Sequence, residues 1–193
     1  MILEGVVTTK NAEDKVNVAP MGPIVDESMS SFVLRPFKTS TTYSNLKHNP
    51  QGVLHVTDDV LLLARAAIGR LTEPPPMQLA NVVDGNVLSD ACRWYEFEIV
   101  DFDDSDDRTR LEAKVVHTGR LRDFFGFNRA KHAVLEMAIL ATRLHFLDWD
   151  HVSDAYDRLS EIVGKTAGPD ELAAHDFLQT HVKQFMTENS CSR

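Results

Sequence analysis

The sequence predicts an α+β chain, mainly β, in which an antiparallel β domain is followed by a small helical bundle. Three observations carry this. Tyr95, Phe97 and Ile99 alternate with Glu96 and Glu98, the period of two of a strand with one face buried. After Gly119 the composition shifts from strand formers to Ala, Leu and charged residues. In that second part apolar residues recur every three or four positions in three segments joined by short links, the pattern of packed helices. The division this implies is a β domain over 1–122 and a helical region over 123–193.

Taken in order, residues 2–9 contain Val6, Val7, Thr8 and Thr9, β-branched residues suited to a strand. The polar 11–15 stretch reads as a hairpin turn, and 16–25 as a second strand. Pro20 and Pro23 cannot donate to a ladder, so this strand lies at an edge or is bulged. Gly22 between them lets another group approach the backbone. A strand that cannot pair fully is a place where a flat ligand can meet main-chain groups. A third strand covers 31–37 and a fourth 52–57, with His55 inside it. Asp58 caps a nearly all-apolar helix over 59–68, ended by Gly69. An extended proline loop follows at 73–76, and 77–83 and 87–88 flank a turn at Asp84-Gly85-Asn86. The strand over 93–102 and its partner over 108–117 are joined by Asp103-Asp104-Ser105-Asp106-Asp107, a solvated tip. Asn128 caps a helix over 129–147, with Ala130, Val134, Met137, Ala141 and Leu144 on one face. A second helix spans 151–163 with Gly164 as its stop, and Pro169 opens a third over 170–187.

Composition narrows the function classes. The chain has 193 residues, 43% of them hydrophobic and 25% charged, which is globular usage rather than disorder. A net charge of −9 disfavours non-specific nucleic-acid binding, while leaving room for local basic pockets. No apolar run approaches the roughly 20 residues that span a bilayer. The longest candidate, 133–147, is interrupted by Glu136, Arg143 and His145. The first five residues lack the basic and apolar regions of a signal peptide. Cys92 and Cys191 form no C-x-x-C pair, so neither a disulfide framework nor a zinc site is expected, and a reducing cytoplasm is the default location.

Most catalytic patterns fail on spacing. Gly164-Lys165-Thr166 resembles the end of a Walker A loop, but Leu159 stands where that pattern needs a glycine. His175 and His181 are six apart, not the four of a metalloprotease helix. There is no G-x-S-x-G elbow and no dinucleotide fingerprint. Cys92 sits beside Arg93, which can lower a thiol pKa, and reads as a half-buried structural cysteine.

What remains is the stretch 35–49. An apolar run, Phe32-Val33-Leu34, leads through Arg35 and Lys38 into four hydroxyl residues, Thr39, Ser40, Thr41 and Thr42, and then a helix-like segment stopped by Pro50. It reads either as an N-capped turn or as a phosphate cradle, because hydroxyls and free N–H groups at a helix start serve both ends. Thr39, Thr42 and Asn45 are spaced by three, which places Thr42 and Asn45 on one side of a helix beginning near Thr41. Asn128, Arg129 and Lys131 make a second polar, basic helix start.

The order of Asn17-Val18-Ala19-Pro20-Met21-Gly22, then Arg35-Pro36-Phe37-Lys38-Thr39-Ser40-Thr41-Thr42-Tyr43-Ser44-Asn45-Leu46, then 52–59 resembles the flavin-reductase-like FMN-binding split barrels. Within them it resembles a group of the domain-of-unknown-function 447 type, over about residues 2–145. The resemblance implies a six-stranded antiparallel Greek-key split barrel, usually a homodimer, with FMN near the subunit interface. Carried onto this chain, Lys38, Thr39, Ser40, Thr42 and Asn45 match the phosphate segment, with Arg35 adding charge. Asn17, Val18, Ala19, Pro20, Met21 and Gly22 match the strand along the isoalloxazine ring. Asn128 and Arg129 are a further carry-over, from their place before the long helix. The chain departs from flavin reductases in lacking an evident nicotinamide-binding feature and in its C-terminal helices.

The implied function is an FMN-dependent oxidoreductase, with NAD(P)H or another small molecule as redox partner and no nucleic acid or membrane partner. No side chain is nominated as a catalyst, because the flavin carries the chemistry. A non-enzymatic flavin carrier or sensor is the alternative. A split barrel holding haem, with His55 or His117 as axial ligand, is a third.

Overall fold

We describe residues 1–190 of a computed structural model of the chain; Cys191 lies outside them. Nine strands form in order: β1 (Gly5–Lys10), β2 (Val16–Met21), β3 (Ile24–Val25), β4 (Ser31–Leu34), β5 (Gln51–Val56), β6 (Met77–Leu79), β7 (Asn86–Leu88), β8 (Arg93–Asp103) and β9 (Arg110–Arg120). The helices are α1 (Thr41–His48), α2 (Val60–Ala67), α3 (Arg129–Ala141), α4 (Trp149–Thr166) and α5 (Pro169–Ser190). Two compact units result: Met1–Asp58 with Thr72–Phe124, and Asp59–Leu71 with the chain from Phe125 onward.

The first unit is an antiparallel sheet in the order β2-β1-β5-β8-β9-β4-β3, with β6 and β7 as a separate two-stranded ribbon. Seven strands lie in this sheet where six were expected. The difference is local. β2 and β3 are one stretch of chain broken at Gly22-Pro23, where Pro23 cannot donate, while Pro20 stays within β2 at the sheet edge, opposite Val6. Beyond it, Ile2 bridges Ile24, Leu3 N–H donates to Pro23 O (3.1 Å) and Val25 N–H to Met1 O (2.8 Å). The N-terminal extension of β1 therefore closes the sheet onto β3. Counted this way there are six strands in the closed order 1-2-3-6-5-4, an antiparallel Greek-key barrel. β2 itself pairs only with β1, which leaves its other edge open.

The barrel core is Val7, Val25, Phe32, Leu34, Leu54, Phe97, Leu111 and Ala113, and Leu46 of α1 is buried in it. A smaller cluster of Val53, Val83, Val87 and Trp94 lies under the 80–88 segment. Here an expectation fails. Glu96, assigned by alternation to the polar face, is fully buried. It accepts from the backbone N–H groups of Asn81 (2.8 Å), Val82 (2.6 Å) and Val83 (3.1 Å) and from the Trp94 indole (3.1 Å). That face is outward in the pleat but is covered by the 81–83 loop, so alternation reports the pleat and not the solvent. Gly119 pairs with Trp94, and its missing Cβ makes room for the indole ring.

In the second unit, α2 packs on α3 and α5, and α3 on α4. Gly69 ends α2 in the left-handed conformation (φ 66°), as expected, with Arg70 N–H returning to Arg65 O. α3 stops at Ala141 rather than 147. Arg143 N–H bonds Leu140 O and Phe146 N–H bonds Arg143 O, tight turns that bring the chain round to α4, which Asp148 caps. Gly164 does not stop α4, which runs to Thr166 with Ala167 as its C-cap. A lone surface glycine weakens a helix without ending it, whereas Pro169, two residues past the cap, cannot continue one. Tyr156 donates to Met137 O (2.9 Å), tying α4 to α3.

Candidate functional site

The candidate site lies in the first unit, where α1 meets the β1–β2 hairpin. The hairpin turn is held by Asn11 Oδ1, which accepts from Glu13 N–H (3.0 Å) and Lys15 N–H (2.9 Å). All six residues of β2 are half-buried, as befits an edge strand. Its backbone groups on the open side are free to meet a flat molecule, except at Pro20, which offers only a carbonyl. At Gly22 the close approach is made from within: a Cβ there would meet Ile2 Cγ2 at 2.9 Å and the Glu4 carboxylate at 3.4 Å. Gly22 serves barrel closure.

α1 is entered through Ser40, whose extended backbone (φ −83°, ψ 148°) and Oγ, accepting from Tyr43 N–H at 3.2 Å, make it the N-cap. The N-cap reading of this stretch therefore holds. Thr39, just before the cap, and Thr41, on the first turn, are exposed, and Lys38 is half-buried beside them in sequence. Thr41 is not among the residues matched to the phosphate segment; its place in the hydroxyl run is the sequence signal for it. Arg35 follows β4, with its Nε buried and without a hydrogen-bond partner. Thr42 and Asn45 face the other way. They are 2% and 3% exposed, and their side chains bond to the hairpin: Asn17 Nδ2 donates to Thr42 Oγ1 (3.2 Å) and Asn45 Nδ2 to Thr9 Oγ1 (3.0 Å). Thr9 had no signal in the sequence beyond its strand propensity.

α1 is also fastened to the β8–β9 tip. Tyr43 Oη donates to Asp104 Oδ2 (2.8 Å), and Lys47 Nζ reaches both Tyr43 Oη and Asp104 Oδ2 at 3.0 Å. These bonds push the Lys47 ammonium up to about 12, through Tyr43 first and then Asp104. Lys47 and Tyr43 together hold the Asp104 carboxyl below its ordinary range.

Asn128 and Arg129 belong to the second unit. Asn128 Oδ1 caps α3 at Lys131 N–H (3.1 Å) and its Nδ2 donates to Thr166 O (3.0 Å), so the whole side chain is committed to joining α3 and α4. Lys131 pairs with Glu171 at 2.7 Å. Arg129 is exposed.

The histidines exclude the haem reading at His55. Its Nδ1 donates to Val6 O (3.0 Å) and its Nε2 accepts from Leu88 N–H (3.0 Å), leaving no lone pair for iron. Burial depresses its pKa to about 4, against a smaller upward pull from Val6 O. His117 Nε2 meets Asn81 Nδ2 at 2.8 Å. Among the described residues there is no group of three or more His, Cys, Asp or Glu able to hold a metal ion. Cys92 is free and buried, not half-buried; burial and then the Asp58 carboxylate push its thiol up. No helix among the described residues is long and apolar enough to cross a membrane.

Two family models match, "Protein of unknown function (DUF447) N-terminal domain" over residues 3–122 and "Protein of unknown function (DUF447)" over 128–180. No curated protein matches the chain. Among solved structures, an FMN-bound protein of the DUF447 type from Methanosarcina mazei is 21% identical with a TM-score of 0.79, covering 93% of this chain and 94% of that one. An FMN-binding protein from Thermus thermophilus, with bound 1-cyclohex-2-enone, is 16% identical with a TM-score of 0.51 over 62% of this chain and 70% of that one. The 2-nitrobenzoate 2-nitroreductase of Pseudomonas fluorescens is 17% identical with a TM-score of 0.52, over 61% of this chain and 64% of that one. At these identities the likeness is one of fold.

Proposed function

The chain belongs to the DUF447 family, and from that premise we propose that it binds FMN and acts as a flavin-dependent oxidoreductase. The isoalloxazine ring lies along the open edge of β2 and the phosphate at the first turn of α1. The observation that carries this reading is the bond from Asn17 to Thr42 at 3.2 Å, which sets an unpaired strand edge beside a hydroxyl-rich helix start. FMN needs those two surfaces together: a strip of main-chain donors and acceptors for the ring and an anion site for the phosphate. The FMN-bound state of the Methanosarcina mazei protein, which shares the fold over 93% of this chain, supports it.

The residues fit the group. A helix leaves its first N–H groups without partners inside the helix, and Ser40 takes only that of Tyr43. The exposed hydroxyls of Thr39 and Thr41 add donors, and Lys38 and Arg35 offset the phosphate charge; the unpartnered buried Nε of Arg35 is a donor awaiting an acceptor. Along β2, backbone groups of 17–21 bond the ring edge and so adjust its potential. Bound flavin supplies hydride and electron transfer; the chain supplies binding, orientation and electrostatics. We assign no catalytic side chain. Asn128 is left out of the site because its side chain is a cap. The working unit is a homodimer in the cytoplasm with FMN near the subunit interface, and NAD(P)H is the electron donor.

The test is a visible spectrum of the purified protein, before and after FMN is added, followed by NADH or NADPH without oxygen. Flavin bands that bleach with either nicotinamide are expected. A protein that takes up no FMN refutes the reading, and bound flavin that neither nicotinamide reduces refutes the proposed donor and leaves a flavin-binding module. Light scattering on a sizing column checks the dimer.

A further inference from the structure

We propose that the side chains of Thr9, Asn17, Thr42 and Asn45 are positioning groups: a four-residue lock that fixes the spacing between the ring strand and the phosphate helix, not a set of side-chain cofactor ligands. This rests on the FMN reading above. Thr9 and Asn17 are directly opposite each other in the β1–β2 ladder. Thr42 and Asn45 are neighbours one helical turn apart on α1. The four therefore form two rungs between the hairpin and the helix. The rungs run in opposite senses: the strand amide of Asn17 donates to the helix hydroxyl of Thr42, and the helix amide of Asn45 donates to the strand hydroxyl of Thr9.

Leu46 in the core and the Tyr43 and Lys47 bonds to Asp104 hold α1 on the barrel, and the rungs set its register on the hairpin. Two rungs a helical turn apart fix both its rotation and its slide along the hairpin. Thr9, Thr42 and Asn45 are 1%, 2% and 3% exposed, so these hydroxyls and this amide are turned away from any solvent-side phosphate. Buried polar groups joined in this way are costly to unpair, which makes the register stiff. The consequence is chemical. The ring and phosphate of FMN are joined by a chain of fixed reach, so the second contact is gained in full only when strand and helix stand at the matching distance. Riboflavin has the ring without the phosphate and reads the strand end alone.

The experiment compares FMN and riboflavin affinities by fluorescence quenching for the full chain and for Thr9→Val, Thr9→Ser and Thr42→Val. Valine keeps the shape and removes the acceptor. Thr9 lies buried on β1 and touches no flavin on either view, so its effect isolates the lock. Thr9→Val and Thr42→Val should each weaken FMN about tenfold, the scale of one lost buried hydrogen bond, and leave riboflavin within about twofold, with Thr9→Ser restoring FMN affinity. If Thr9→Val does not fold, Thr9→Ala, which also lacks the acceptor and is smaller, carries the same comparison. FMN affinity unchanged in the valine variants, or FMN and riboflavin weakened alike, overturns the lock while the flavin site stands. A wild-type chain that binds no FMN overturns both.

Discussion

The backbone N–H of Leu88 donates to Nε2 of His55 at 3.0 Å, and this fixes the imidazole as its neutral, Nδ1-protonated form. The ring joins β5 to β7 through Leu88 and to β1 through Val6 O, so it is a structural bolt in the barrel wall. Its depressed pKa makes it a source of pH dependence. The folded value is about 4 against an ordinary 6.5, so the unfolded chain takes up the proton first. The stability His55 contributes is complete above 6.5 and is lost as pH falls towards 4, by roughly 3 kcal/mol over that window. Urea midpoints at pH 7.5, 5.5 and 4.5 should fall in that order for the wild type. A His55→Gln variant should lose most of the slope between 7.5 and 5.5, and equal slopes would show that other groups set it.

Glu96 is expected to be the most sensitive carboxylate in the first unit. Burial raises its pKa, but the N–H groups of Asn81 and Val82, the Trp94 indole and Val83 N–H outweigh burial and hold it below the ordinary 4.5. Its contribution is present above 4.5 and is lost as pH falls through the lower folded value. Glu96→Gln keeps the shape but turns an amide NH2 towards donors, and should cost about 3 kcal/mol. Chemical denaturation followed by tryptophan fluorescence in a Trp149→Phe background, which leaves Trp94 as the reporter, measures this; a loss below about 1 kcal/mol would mean that the 81–83 loop is held by other contacts.

Gly119→Ala should destabilise the first unit. The added Cβ would enter the space of the Trp94 ring, which is 7% exposed and has little room to retreat. Overpacking of this kind costs about 1–3 kcal/mol. A lower melting temperature with a shifted tryptophan emission is the expected result; an unchanged emission spectrum would place the ring elsewhere.

Thr39→Ala combined with Thr41→Ala should weaken FMN binding about tenfold with little change in melting temperature of the flavin-free protein, because both side chains are exposed. Arg35→Gln should weaken FMN more than riboflavin. Isothermal titration separates the two, and wild-type affinity in both variants would move the phosphate away from α1.

The parts legible in the sequence were those set by local chemistry. Pro20 and Pro23 announced an edge strand with an irregularity, the hydroxyl run near Thr41 and Asn128 announced helix starts, and Gly69 announced a helix stop. Burial by distant chain was not legible. Glu96 looked solvent-facing because the loop that covers it comes from 13 to 15 residues earlier in the chain. Thr42 and Asn45 were rightly placed on one helix side, but no spacing rule says whether that side meets a ligand or a hairpin. Gly164 stood where a helix could end, and did not end one, because a lone exposed glycine weakens a helix without stopping it.

The placement of α2 has a consequence for how the molecule comes apart. The segment Asp59–Leu71 leaves the barrel chain after β5 and contributes Val60, Leu63 and Ala64 to the buried interior of the helical unit before the chain returns at Thr72. No single cut therefore separates two whole halves. Cleavage near residue 122 gives a C-terminal piece missing one of its four helices and an N-terminal piece carrying an orphaned apolar one. Proteolysis of the linker should accordingly yield fragments that stay associated until denatured, and a helical fragment made alone should show the exposed apolar face of a missing partner.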